Sequence, residues 1–279
     1  MNKTPKLAKK PVLPASRMTP SIRQALGRLC GKMCQVGYET FDIERVEGLI
    51  DELQRRNVHG IDAFLRRLQE RVNDRQDYLD ISKEGRFAVI LSRNGFSQIH
   101  IEYSRQGPDL KANYNRQTVY FEVTRKRPKE DEWAESSDFD AVESDRPENI
   151  ISKIQEKLRQ FSDEQRNVVV YWSSTISVMP LELQEAFTYI QQEIDTDSQR
   201  YQKLSGILFT DEGIDLPTLK QFYLFKNDKA SKPLGIRLAR KLESLHEQGP
   251  KKLRTLEAVD DNIHSEPLKS PNELGNHGG

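Results

Sequence analysis

The spacing of apolar residues changes several times along this chain, and each change marks an element. Val46, Leu49, Ile50 and Leu53 recur at helical intervals, as do Ile61, Phe64, Leu65, Leu68 and Val72, and each set makes one buried stripe. Asp42 precedes the first set as a candidate N-cap, so residues 21–80 read as a helical region. A further helix runs from Glu84 to a closing Gly95, with Glu84, Phe87, Ala88 and Leu91 on one face. Glu84 therefore opens a buried stripe. From Gln98 to Tyr103 the pattern alternates: Ile99 and Ile101 share one face, and His100 and Glu102 the other, with His100 expected toward solvent. Thr118–Val123 is β-branched and aromatic apart from Glu122, which predicts a strand covered on both sides. Val119, Phe121 and Val123 share one of its faces, and Tyr120, Glu122 and Thr124 the other.

The period returns to helical over Glu148–Phe161, where Ile150, Ile151, Ile154, Leu158 and Phe161 form a stripe, and Asn167–Trp172 follows as another buried strand. A helix over Leu181–Ile194, strands over Leu204–Phe209 and Gln221–Phe225, and a helix over Ile236–Leu245 complete the series. If the two halves around Gly107 and the Thr118 strand count as successive meander strands, the central unit reads α-β-β-β-α-β, which predicts an α/β fold built on a mixed sheet, with an N-terminal helical region beside it. That helical region would position substrate or serve a dimer contact. There is no internal repeat.

Chemistry concentrates in the same unit. Gly107-Pro108-Asp109-Leu110 is a turn that carries an aspartate into a strand, and Glu122 sits alone in the next apolar strand. Carboxylates on neighbouring backbone segments suit a hard divalent cation such as Mg²⁺, which can polarise a phosphate and activate a water. A buried glutamate needs such a partner; the competing reading is an edge strand with Glu122 in water. Lys153 and Lys157 lie one helical turn apart beside the Ile150–Phe161 stripe, where long side chains also snorkel toward water.

In this order of elements and acids, residues 80–175 resemble the PD-(D/E)XK nuclease superfamily, the restriction-endonuclease-like fold. The resemblance implies that Glu84, Asp109 and Glu122 bind Mg²⁺ or Mn²⁺, with Asp109 and Glu122 as the principal ligands and Glu84 assisting through a water. It implies hydrolysis of phosphodiester bonds, with DNA as the expected partner and RNA as the alternative. The chain departs from the family where the motif lysine, two residues after the strand acid, is replaced by Thr124. A hydroxyl cannot supply positive charge to the developing phosphate. Lys126 has the right strand parity to replace it, and Lys157 or Lys153 could reach in from the following helix, with Lys157 preferred. A catalytically inactive module that binds nucleic acid or protein is the competing function.

Composition adds boundaries. The 279 residues hold 43 basic and 43 acidic side chains, so global charge makes no case for nucleic acid. The distribution is uneven. Residues 1–20 form a Pro- and Lys-rich basic arm, expected to be disordered, and no acid occurs before Cys30. Arg125-Lys126-Arg127 closes the key strand, where it could meet phosphates. An acidic loop over 129–148 follows, with Trp133 and Phe139 inside it, and residues 249–279 read as a loose tail. The core is expected over 81–248. Cys30 and Cys34, at i and i+4, read as buried free thiols rather than a zinc site. No apolar run is long enough for a membrane span, and no secretory signal is evident, so a cytoplasmic protein is expected. Walker, G-x-G-x-x-G and G-x-S-x-G motifs are missing from the sequence.

Overall fold

A computed structural model describes residues 18–102, 107–125, 147–173, 180–211 and 222–247. The expectations for most of the basic arm, for the acidic loop up to residue 146, for Lys126 and for the tail lie outside these residues.

Four helices come first: α1 (Pro20–Gln35), α2 (Thr40–Arg55), α3 (Ile61–Arg71) and α4 (Arg75–Arg93). Thr19 caps α1 by accepting the Ile22 N–H, with Pro20 in the first turn, where a missing N–H costs nothing. In α2 the expected cap is displaced. The helix begins at Thr40 with Glu39 at the cap position, and Asp42 lies in the first turn, where its charge favours the helix N-terminus. Helix α4 begins nine residues before Glu84, because Asp74 accepts hydrogen bonds from the Gln76 and Asp77 N–H groups. A boundary between residues 80 and 81 therefore falls inside one helix.

The strands are β1 (Ser97–Ile101), β2 (Leu110–Tyr114), β3 (Gln117–Arg125), β4 (Asn167–Ser173), β5 (Gly206–Asp211) and β6 (Phe222–Lys226). They form one mixed sheet in the order β1-β2-β3-β4-β5-β6. The first three pair antiparallel, β3-β4 and β4-β5 pair parallel, and β6 returns antiparallel. Helix α5 (Pro147–Lys157), prolonged by a 3₁₀ turn over Leu158–Gln160, makes the first parallel crossover. Helices α6 (Pro180–Thr196) and α7 (Ser198–Tyr201) make the second, and α8 (Ile236–Glu243) follows β6. The order over residues 75–173 is α-β-β-β-α-β, with β1 and β3 where the apolar pattern placed strands and β2 following the turn at Gly107.

Both faces of the sheet are covered. On one, α1–α4 and α8 pack with Val119, Phe121 and Val123 of β3 in a continuous apolar cluster, so the N-terminal helices and the sheet share one core. On the other, Ile150, Ile154 and Phe161 pack with Val169, Tyr171 and residues of α6. Gly85 sets the spacing of α3 and α4: a Cβ there would stand 2.7 Å from the Phe64 ring. His100 is half-buried rather than facing solvent, because His59 bridges to it at the sheet edge and their rings lie 6.1 Å apart. The cysteines also differ from expectation. The buried stripe of α1 is Ile22, Leu26, Leu29 and Met33, which leaves Cys30 half-buried at its flank and Cys34 exposed. Among the described residues no helix is long and apolar enough to cross a membrane.

Candidate functional site

Strand β3 is interior, so Glu122 is not on an edge in water; it is 2 % exposed. Its position follows from alternation: Phe121 and Val123 take the first core, which turns Glu122 and Thr124 to the side of α5. Leu110 of β2 pairs with Phe121, so Asp109 falls beside Glu122 just where the β2-β3 ladder begins. There Asp109 Oδ2 accepts the Val123 N–H at 2.9 Å. Glu84 arrives from the buried face of α4. Glu84, Asp109, Glu122 and Lys157 all line one cavity of about 1260 Å³.

The basic partners come from opposite walls. Lys157, in the last turn of α5, places Nζ 2.7 Å from Glu122 Oε1. Gln160, with its amide turned to donate, lies 2.7 and 2.6 Å from the two Glu122 oxygens. From α3, Arg67 Nη1 lies 2.8 Å from Glu84 Oε2, 2.6 Å from Glu102 Oε1 and 3.6 Å from Asp109 Oδ1. Lys153 lines the cavity but is committed to Glu156 at 2.9 Å, near water. Arg125 is buried, with Nε 2.7 Å from Asp80 and a further bond to the Gln76 carboxamide, so it ties β3 to α4 instead of reaching for phosphate.

Four of the five candidates from sequence thus converge around one carboxylate cluster, with Lys153 at its margin. Arg67, Glu102 and Gln160 were not anticipated. Arg67 flanks the α3 stripe one turn after Phe64, a position that reads equally well as a solvated arginine. Glu102 was placed by alternation opposite Ile101, but its φ of +55° rotates it out of the strand.

The cluster is short of positive charge. Burial, and then Asp109, push the Glu122 carboxyl from 4.5 up to about 8, against the pull of Lys157. Burial and Asp109 raise Glu84 well above the usual carboxylate range, and burial raises Asp109 despite Arg67 and the Val123 N–H. Burial alone would lower both bases, but Glu122 holds Lys157 as a cation and the three carboxylates do the same for Arg67. The cavity wall carries eight acidic and six basic side chains, a formal deficit of positive charge that the raised Glu84, Asp109 and Glu122 carboxyls reduce by holding protons. Hard oxygen donors and that deficit fit Mg²⁺ or Mn²⁺ chemically. The geometry is less open: among the described residues no three His, Cys, Asp or Glu side chains are grouped to hold a metal ion, and Arg67 bridges Glu84 and Glu102 and approaches Asp109. The chain matches no protein-family model, no curated protein and no solved structure.

Proposed function

We propose that this chain is a divergent member of the PD-(D/E)XK, restriction-endonuclease-like class: a Mg²⁺- or Mn²⁺-dependent nuclease that hydrolyses phosphodiester bonds, with DNA as substrate. The observation that carries the reading is the 2.7 Å contact of Lys157 with Glu122. The positive charge that Thr124 cannot provide is supplied from α5, at the very acid where a motif lysine would be needed. The α-β-β-β-α-β order and the shared cavity of Glu84, Asp109 and Glu122 support it further.

In this reading Asp109 and Glu122 would hold the cation, and Glu84 would assist. When bound, the cation supplies charge neutralisation at the phosphate and a more acidic water. The rest is the work of the chain. The Val123 N–H fixes the orientation of Asp109. Lys157 is held protonated by its carboxylate neighbours, which places a permanent cation where negative charge grows during phosphoryl transfer. Gln160 orients Glu122 through its amide. Thr124, buried beside the cavity, adds at most a hydroxyl.

One observation favours a second reading, a nuclease-derived binding module without catalysis: Arg67 already neutralises the carboxylates that a metal would use. Incubation of the purified protein with single- and double-stranded DNA, and with RNA, in Mg²⁺, Mn²⁺ or EDTA separates the two. Cleavage that requires metal and is lost in Asp109→Asn is the expected result. Binding with no cleavage in any metal would replace the nuclease reading with the second one.

A further inference from the structure

We propose that Arg67 is an exchangeable counter-ion: it neutralises Glu84 and Asp109 in the resting site, and turns to a backbone phosphate of the nucleic acid when a divalent cation takes those carboxylates. The proposal rests on the nuclease-like reading above and assigns a substrate-binding role to a residue of the N-terminal helices.

The geometry gives Arg67 two possible commitments. All its hydrogen bonds to described residues use Nη1, toward Glu84 and Glu102, which leaves Nε and Nη2 for another acceptor. A guanidinium fork with two free donors matches a phosphate bidentately. Mobility is unequal across the cluster. The Glu84 side chain is 3 % exposed, whereas Arg67 is 36 % exposed on the cavity wall, so the base has open space beside it that the acid lacks.

Glu102 supplies a pivot. Its φ of +55° is a conformation that side-chain-bearing residues rarely adopt. It is held there by its N–H bond to the Asp109 carbonyl at 2.8 Å. That backbone fixes the Glu102 carboxylate 2.6 Å from Arg67 Nη1. If Glu84 and Asp109 are given to a metal ion, Arg67 keeps one anchor and loses two partners, and its charge becomes available to substrate. Exchange also answers an electrostatic problem. A strand of phosphates entering a cavity with more acids than bases is repelled, and a divalent cation removes that formal excess of negative charge while it turns the charge of Arg67 from the carboxylates toward the substrate. Metal and nucleic acid binding are then coupled, and coupling of this kind is reciprocal.

The test uses the full chain and measures two affinities separately. Mn²⁺ binding is followed by calorimetry without nucleic acid, and binding of a fluorescent DNA duplex is followed by anisotropy in Ca²⁺. Arg67→Met should bind Mn²⁺ more tightly and DNA more weakly, each by about tenfold, the middle of the usual coupling range. Arg67→Lys keeps a point charge without the fork and should fall between wild type and Arg67→Met in both. It carries the test by itself if the methionine variant does not fold. A merely structural role would weaken both affinities together, and that result overturns the proposal, as does unchanged Mn²⁺ affinity. Gain of Mn²⁺ binding in a variant when wild type binds none supports it. Asp109→Asn run in parallel distinguishes the two levels of argument. If it binds Mn²⁺ like wild type, the metal site itself is misplaced. If it abolishes binding while both Arg67 variants match wild type, the counter-ion idea alone fails.

Discussion

Replacing Glu122 by Gln should remove much of the pH dependence of stability in the metal-free protein. The carboxyl moves from 4.5 to about 8 on folding, and at about 1.4 kcal/mol per pH unit the charged form is disfavoured by on the order of 5 kcal/mol. Below about pH 4.5 the group is protonated in folded and unfolded chains alike, so burial of the neutral acid carries its full advantage. Between 4.5 and 8 the unfolded chain ionises while the folded one does not, and stability falls. Above 8 both are ionised and the loss is complete. Asp109 and Glu84 are raised as well and add in the same direction, while Lys157 and Arg67, both raised, stay protonated in folded and unfolded chains across this range and leave the slope unchanged. Gln keeps the shape and still accepts from Lys157. Urea unfolding at pH 5, 6, 7 and 8 in EDTA should show wild type losing a few kcal/mol over this range and Glu122→Gln losing distinctly less. Millimolar Mn²⁺ at pH 8 should restore wild type and not the variant. An equally steep decline in Glu122→Gln would refute the electrostatic account of the site.

Lys157→Ala should lower DNA cleavage by about a hundredfold or more, while DNA binding persists, and Thr124→Ala should be mild; Thr124→Lys should recover part of the loss when added to Lys157→Ala. Lys157→Ala cleaving at the wild-type rate would remove the relocated lysine from the mechanism. Asp109→Asn should leave the chain folded and abolish the rise in melting temperature that millimolar Mg²⁺ or Mn²⁺ gives wild type, as measured by differential scanning fluorimetry. Gly85→Ala should destabilise by about 1–2 kcal/mol in urea: the new methyl meets the Phe64 ring at 2.7 Å, and overpacking outweighs the gain in helix propensity.

Much of the fold could be read from period alone, because both faces of β3 and the inner faces of α3, α4 and α5 are set by local alternation of apolar residues. Glu122 was conspicuous as the one charge in an apolar strand, and Lys157 as a long cation one turn from Lys153 on the correct helix. What stayed hidden depends on distance along the chain or on backbone conformation. Arg67 meets partners 17 and 35 residues away, and no local pattern marks which surface arginine turns inward. Glu102 required a positive φ that alternation does not foresee. Arg125 looked like a phosphate contact because it begins a basic run, yet Asp80 lies on the helix packed beside it and takes its charge. Asp74 went unnoticed as the cap of α4 because polar residues in the first turn dilute the helical stripe.

The six strands lie side by side in the order in which the chain runs. For a chain leaving the ribosome, each new strand finds its partner already made and needs no earlier edge held open. Every group of the proposed site, from Arg67 to Gln160, precedes the end of β4, whereas β5, β6 and α6 to α8 come afterwards. The proposed site is therefore carried by one unbroken span of the sequence, and the elements made after that span serve to complete the sheet and its two apolar layers.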